Sequence, residues 1–203
     1  MPLTERPLRA DAERNRRRLL EAAATVIARD GVEASVEAIA REAGVGMGTL
    51  YRRFACKDDL VRAILAERAE ITLTEMAAGA AADDPWDALA GSITALAAGF
   101  AGDQGLFDAV AEAGGRPQLL EVRSRFLDAM APVLASARAA EVVRDDVTVT
   151  DLVTLASIVT RVPPSAREVD ARIWERFLGL ALDGLRPGAA SPLPRAPLPA
   201  NLR

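Results

Sequence analysis

The chain has 203 residues, half of them apolar and only 4% aromatic, with 25 Lys and Arg against 29 Asp and Glu. It has no histidine, which excludes the usual zinc sets, histidine-dependent triads and Glu-x-x-His di-iron sites. Its one cysteine excludes an internal disulfide and fits a reducing cytoplasm.

Ala, Leu, Arg and Glu dominate, and β-branched runs are scarce, so the expected fold class is all-α. No apolar run of about 20 residues is present to cross a membrane, and the first residues lack a hydrophobic signal core. The charge is unevenly spread. Residues 1–57 hold 11 basic and 8 acidic groups, whereas residues 58–203 hold 14 and 21. A positive head on an acidic body suits a chain that presents one end to phosphates.

Residues 1–10 carry two prolines and two arginines without periodicity and read as a mobile basic arm. Asp11 is a plausible cap for a first helix reaching about Arg29, with Leu19, Leu20, Ala23, Val26 and Ile27 on its buried stripe. Arg14, Arg16, Arg17 and Arg18 crowd its first half, where the helix dipole disfavours cations. An external anion would relieve that conflict; a solvated arginine face is the plainer reading. Gly31 ends the helix.

Residues 35–57, SVEAIAREAGVGMGTLYRRFACK, read as two short helices joined by a turn. Ser35 caps the first through its hydroxyl, Val36, Ile39, Ala40 and Ala43 recur at helical spacing, and Gly44 suits the left-handed position that ends it. The second runs from about Gly46 to Phe54. At about 100° per residue Leu50 and Phe54 share an inward face, while Gly48, Thr49 and Arg52 face the other way. A glycine, a hydroxyl and a guanidinium on one outward face permit close approach and hydrogen bonding in a major groove. Tyr51 and Arg53 flank that face, and Met47 lies towards the core seam. The plain alternative is a solvated amphipathic helix pair.

A fourth helix begins near Lys57, with Asp58 and Asp59 complementing its dipole, and carries an apolar pattern to about Ala78. The order of ARDG, SVEAIAREAGV, GTLYRRF and KDDLVRAIL, over about Asn15 to Arg68, resembles the tetracycline-repressor-type (TetR/AcrR) bacterial regulators. The chain departs from that pattern at Ala55, where relatives often have Pro, and at Cys56, where they have a capping Ser or Thr. Losing such a cap costs roughly 1 kcal/mol; Cys56 reads as a small half-buried residue rather than a redox switch.

Further on, Asp84-Pro85 is a cap with proline at the first helical position, opening a helix through Trp86 and Phe100. A short helix over about Leu106–Ala113 ends at Gly114-Gly115. Pro117 opens a long helix to about Ala140, with Pro132 inside it, a place for a kink and a cavity. Thr148 and Asp151 form a capping pair for a helix that Pro163-Pro164 stops. A last helix spans about Glu168–Leu185. In these two helices the apolar surface is wider than one face, which marks Leu155, Ile158, Val159, Trp174, Phe177, Leu178, Ala181 and Leu182 as candidates to meet a second subunit; burial within one body is the alternative. After Arg186 the tail holds five of the 12 prolines and reads as disordered.

The resulting division is a basic arm (1–10), a helix-turn-helix head (11–56), a linking helix (57–82), an effector-binding and dimerisation body (83–186) and a proline-rich tail (187–203). The resemblance implies a three-helix head on a helical effector domain, dimerisation through the last two long helices, a palindromic DNA operator, and repression relieved by a small molecule. It also implies phosphate contacts at Tyr51, Arg53 and Lys57, with Ser35 both capping and touching phosphate; Gly46 and Met47 complete the candidate DNA face. Trp86, Phe100, Phe107, Arg123, Phe126 and Met130 are candidates to line an effector pocket, though each also reads as plain core. No nucleophile–base pairing stands out, so no enzyme, cofactor or metal is expected. The competing function is a helical protein-interaction module without DNA binding.

Overall fold

The computed structural model describes residues 5–189 and 191–198, and their regular structure is helical throughout. The helices are α1 (Glu5–Asp30), α2 (Val36–Ala43), α3 (Met47–Arg53), α4 (Lys57–Gly79), α5 (Pro85–Gly102) and α6 (Gln104–Glu112). They continue as α7 (Arg116–Ala139), α8 (Val149–Val159), α9 (Pro164–Val169) and α10 (Trp174–Gly184), before a short 3-10 turn at Pro187–Ala189.

Local signals set most helix ends where the sequence places them. Asp84 Oδ1 accepts the N–H groups of Trp86 and Asp87 at 2.9 Å, starting α5. The Thr148 hydroxyl accepts the Asp151 N–H while the Asp151 carboxylate accepts the Thr148 N–H, a closed capping box on α8.

Several expectations are corrected. The basic arm expected over residues 1–10 is helical from Glu5, and residues 1–4 lie outside the described chain. Pro7 falls in the first helical turn, where its missing N–H has no partner to lose. Asp11 is therefore inside α1 and is not its cap. Arg14 to Arg18 then stand beyond the first turn, out of range of the helix dipole's terminal charge.

By packing, the chain falls into two compact units. One compact unit holds the chain to Arg68 and takes it back for Asp103–Leu119; the other holds Ala69–Gly102 and the chain from Leu120 on. By packing, the first unit thus ends inside α4 and takes in α6. In the first unit α1 packs against α2 and α6, and a Cβ on Gly105 of α6 would sit 3.3 Å from the Ala28 Cβ. In the second, α5 packs against α8, and α10 against both.

The single last helix expected from Glu168 is two helices. Asp170 is extended, and its carboxylate accepts the Arg172 N–H at 2.8 Å, so a side chain offers the backbone an alternative to the helix. Pro164, expected to stop a helix, opens α9 at its first position, and α8 has already ended at Val159.

The start of the tail is tied down rather than disordered. The buried Arg144 guanidinium holds the Asp146 carboxylate at 2.6 and 2.9 Å and donates to the Ser191 carbonyl at 2.6 Å. The Arg144 N–H bonds the Leu185 carbonyl at 2.9 Å, and the Leu193 backbone also bonds Asp146. The Arg144 hydrogen bond is the main cause holding the Asp146 carboxyl below the usual carboxylate range. A buried cation needs such pairing.

Candidate nucleic-acid interface

The site is built by α2, the turn and α3. Ser35 Oγ accepts the Ala38 N–H at 3.1 Å, and Ile39, Ala40 and Ala43 anchor α2 in the core. Gly44 takes φ +65°, the left-handed conformation that costs other residues energy. The N–H groups of Gly44 and Val45 close the helix end on the carbonyls of Arg41 and Ala40 at 3.2 and 3.0 Å. Gly46 is extended, and its carbonyl accepts the Thr49 and Leu50 N–H groups, starting α3.

Leu50 is 2% exposed and Phe54 is buried, so these two side chains root α3. Its other face is open. Tyr51 is 55% exposed, and Gly46, Gly48, Arg52 and Arg53 are exposed as well. Arg52 Nη2 donates to Thr49 Oγ1 at 3.1 Å, which brings the two expected base-reading side chains together one turn apart. A Cβ built on Gly48 meets nothing within 4 Å, leaving room for a partner to come close. Met47 is half-buried, and Ser35 is exposed beside the α2 start. Lys57, half-buried at the start of α4, lies 4.0 Å from the Glu33 carboxylate, a weak attachment at that distance. Cys56 is exposed rather than half-buried as expected, and its carbonyl accepts the Leu60 N–H at 3.3 Å, the ordinary first bond of α4.

Residues that sequence reasoning left off the interface adjoin it. Asn15 and Arg18 of α1 form one wall of a groove of about 290 Å³, with Gly44, Val45, Gly46, Thr49 and Arg53 opposite. The arginine crowding of α1 was the available signal; which arginine faces the turn was not readable from spacing. Arg16 and Arg17 instead hold Glu67 of α4, at 3.0 and 3.5 Å. Arg68 pairs with Asp103 at 3.3 Å. Burial pushes the Asp103 carboxyl above its ordinary range, with Arg68 opposing the shift.

The residues expected to line an effector pocket fall in different settings. Phe126 and Met130 are core, and Phe100 packs edge-on against Phe126 with centroids 5.6 Å apart. Trp86 is buried beneath the Arg186 guanidinium, 3.7 Å from the ring centroid. Arg123 is 3.5 Å from the Thr154 hydroxyl. Phe107 sits on α6 in the first unit, apart from the other five. None of the six lines the cleft of about 280 Å³ in the second unit, which is formed by Leu73, Met76, Ser92, Pro132, Val133 and four alanines. Pro132 is among the residues that line this cleft.

The candidate subunit-contact residues separate into two sets. Val159, Trp174 and Leu178 are buried by their own chain, so their proposed place at a subunit surface is corrected. Leu155, Ala181 and Leu182 are half-buried. Ile158 and Phe177 are exposed at 61% and 44%, and Leu180, not on the expected set, at 64%. Periodicity located both apolar faces of α10 and could not say which one the chain itself covers.

Comparison with known proteins places the whole. The model of the bacterial regulatory proteins of the tetR family matches residues 19–64, and that of the C-terminal domain of SbtR-like transcriptional regulators matches residues 84–187. The chain belongs to the TetR family of bacterial transcriptional regulators. A TetR regulator of Mycobacterium vanbaalenii of known structure is 34% identical, with 89% of this chain and 99% of that one covered and a TM-score of 0.63. The TetR regulator SCO0520 of Streptomyces coelicolor is 30% identical, covering 85% and 98%, with a TM-score of 0.65. A curated HTH-type transcriptional regulator of Staphylococcus aureus, SAUSA300_2515, is 43% identical over 68 residues; that match spans 33% of this chain and 37% of the relative.

Proposed function

We propose that the chain acts as a cytoplasmic homodimer that binds a palindromic DNA operator through α3 and represses transcription until a small molecule occupies its body. The observation that carries the reading is the α2–turn–α3 unit, rooted by Leu50 and Phe54, with Gly48, Thr49 and Arg52 together on its outward face. The polar, donor-rich character of that face suits base edges. Tyr51, Arg53 and Lys57 are assigned to phosphate.

A two-fold dimer must hold its two recognition helices about 34–36 Å apart, or a multiple of that, to read successive major-groove faces. The exposed Ile158, Phe177 and Leu180 support a subunit surface on α8 and α10, because neighbouring apolar side chains in water favour being covered. The effector is assigned to the cleft at Pro132, whose lining carries no charged residue and so favours an uncharged molecule. Effector binding at a typical coupling of about 1–3 kcal/mol shifts DNA affinity roughly 5–150-fold.

The deciding experiment is a mobility shift with the DNA upstream of the chain's own gene at two salt concentrations. Salt-dependent, sequence-selective binding supports the reading; its absence favours the protein-interaction module. Arg52→Ala is expected to lose about 1–3 kcal/mol of discrimination, whereas Lys57→Ala weakens all sequences alike and lowers the salt slope by about 1. Equal loss on operator and random DNA for Arg52→Ala would reassign that side chain to the backbone.

A further inference from the structure

The three neighbouring arginines of α1 are not equivalent. Arg16 and Arg17 both reach Glu67, which offsets their charge within the head. Arg18, about 200° around the helix from Arg16, is exposed and lines the groove between α1 and the turn. Asn15 lies on the same wall one turn earlier, and Thr49 and Arg53, one turn apart on α3, form the other.

We propose that this groove seats one backbone phosphodiester of the operator, held between Arg18 and Arg53. The inference rests on the DNA-binding reading and adds to it a contact from α1. Among the described residues its lining offers two guanidiniums, an amide and a hydroxyl, and no carboxylate. That set matches a tetrahedral anion rich in acceptors. At about 30 Å³ per water, the groove of about 290 Å³ has room for a phosphate and bridging waters. Gly44 and Gly46 line it without side chains, and a Cβ on either would meet nothing within 4 Å, so the approach is open.

The groove's position selects DNA over a free anion. Thr49 lines the groove and also accepts from Arg52 on the base-reading face. A strand whose bases meet Arg52 therefore has its backbone at the groove's edge. Such contacts set register and carry no sequence information themselves.

The test compares wild type, Arg18→Ala and Arg18→Lys on operator and random duplexes across a salt series, with circular dichroism checking the fold. Arg18→Ala is expected to weaken both duplexes by the same factor and lower the salt slope by about 1. Its affinity then falls about 3.5-fold less than wild type between 50 and 200 mM salt. Arg18→Lys is expected to keep the slope. Replacing operator phosphates one at a time by neutral methylphosphonate should reveal one position that costs wild type affinity and leaves Arg18→Ala unaffected.

Wild-type binding with an unchanged slope in Arg18→Ala overturns the seat and leaves the function of α3 standing. Absence of wild-type DNA binding overturns both. Arg18-dependent binding of inorganic phosphate by the protein alone, with DNA affinity unaltered in Arg18→Ala, would assign the groove to a free phosphate ligand instead.

Discussion

Glycine has opposite roles at the α2–α3 turn and at the α4–α5 contact. In the head, Gly44, Gly46 and Gly48 stand in open space, where an added Cβ meets nothing within 4 Å. In the body, a Cβ on Gly79 would lie 2.6 Å from the Gly91 carbonyl carbon, and one on Gly99 would lie 2.4 Å from the Thr72 hydroxyl. Around the α2–α3 turn glycine serves turn geometry and open approach; between α4 and α5 it lets two helices come close. The exposed faces differ in the same way. On α3 the outward side chains donate hydrogen bonds, whereas on α8 and α10 Ile158, Phe177 and Leu180 are apolar. The first face suits a hydrophilic polymer, and the second suits protein.

The largest expected effect separates the two faces of α10. Leu178→Glu puts a charge at a site 2% exposed and should destabilise the fold by more than about 4 kcal/mol, seen as loss of the cooperative urea transition. Phe177→Glu, one residue away on the exposed face, should leave a folded protein that sediments as a monomer. Monomeric behaviour of the unaltered chain at micromolar concentration would remove the subunit surface.

The glycine contrast predicts opposite signs for one substitution. Gly79→Ala forces backbone apart and should cost about 1–3 kcal/mol in urea denaturation. Gly48→Ala, in open space within α3, should stabilise by roughly 0.5–1 kcal/mol while weakening operator binding. A stabilised Gly48→Ala with full DNA affinity would show that the close approach is not used.

Smaller effects test the head's local signals. Ser35→Ala should cost about 1 kcal/mol through loss of the α2 cap, read by thermal unfolding. The smallest concerns Asp103. Its carboxyl pKa is raised in the folded chain by burial, so the folded state holds that proton to higher pH than the unfolded one. The group's contribution to stability is therefore full below the ordinary value of 3.8 and declines as pH rises through the raised one. Asp103→Asn should flatten that decline in denaturant titrations at stepped pH; an unchanged pH profile would show that Asp103 does not cause it.

Several features were legible because they are carried by adjacent residues. Ser35 with Ala38, Asp84 with Asp87, and Thr148 with Asp151 are contacts across three positions, so type and spacing suffice. Leu50 and Phe54 on one face and Thr49 and Arg52 on the other follow from the turn of the helix alone. The break at Asp170 was also local, yet its turn competed with a continuous apolar pattern, and periodicity favoured the helix.

The sequence by itself determined the helical class, most helix ends and the polar face of α3, since these depend on neighbours within about one turn. Only the tertiary structure decided that α6 packs on α1 in the head, that Arg18 lines the turn while Arg16 and Arg17 hold Glu67, and that Trp174 and Leu178 are core while Ile158 and Phe177 are not. It also decided that Arg144 reaches across to Ser191 and ties the tail. These are contacts between residues distant in sequence, and periodicity can say that a face is apolar without saying which neighbour covers it.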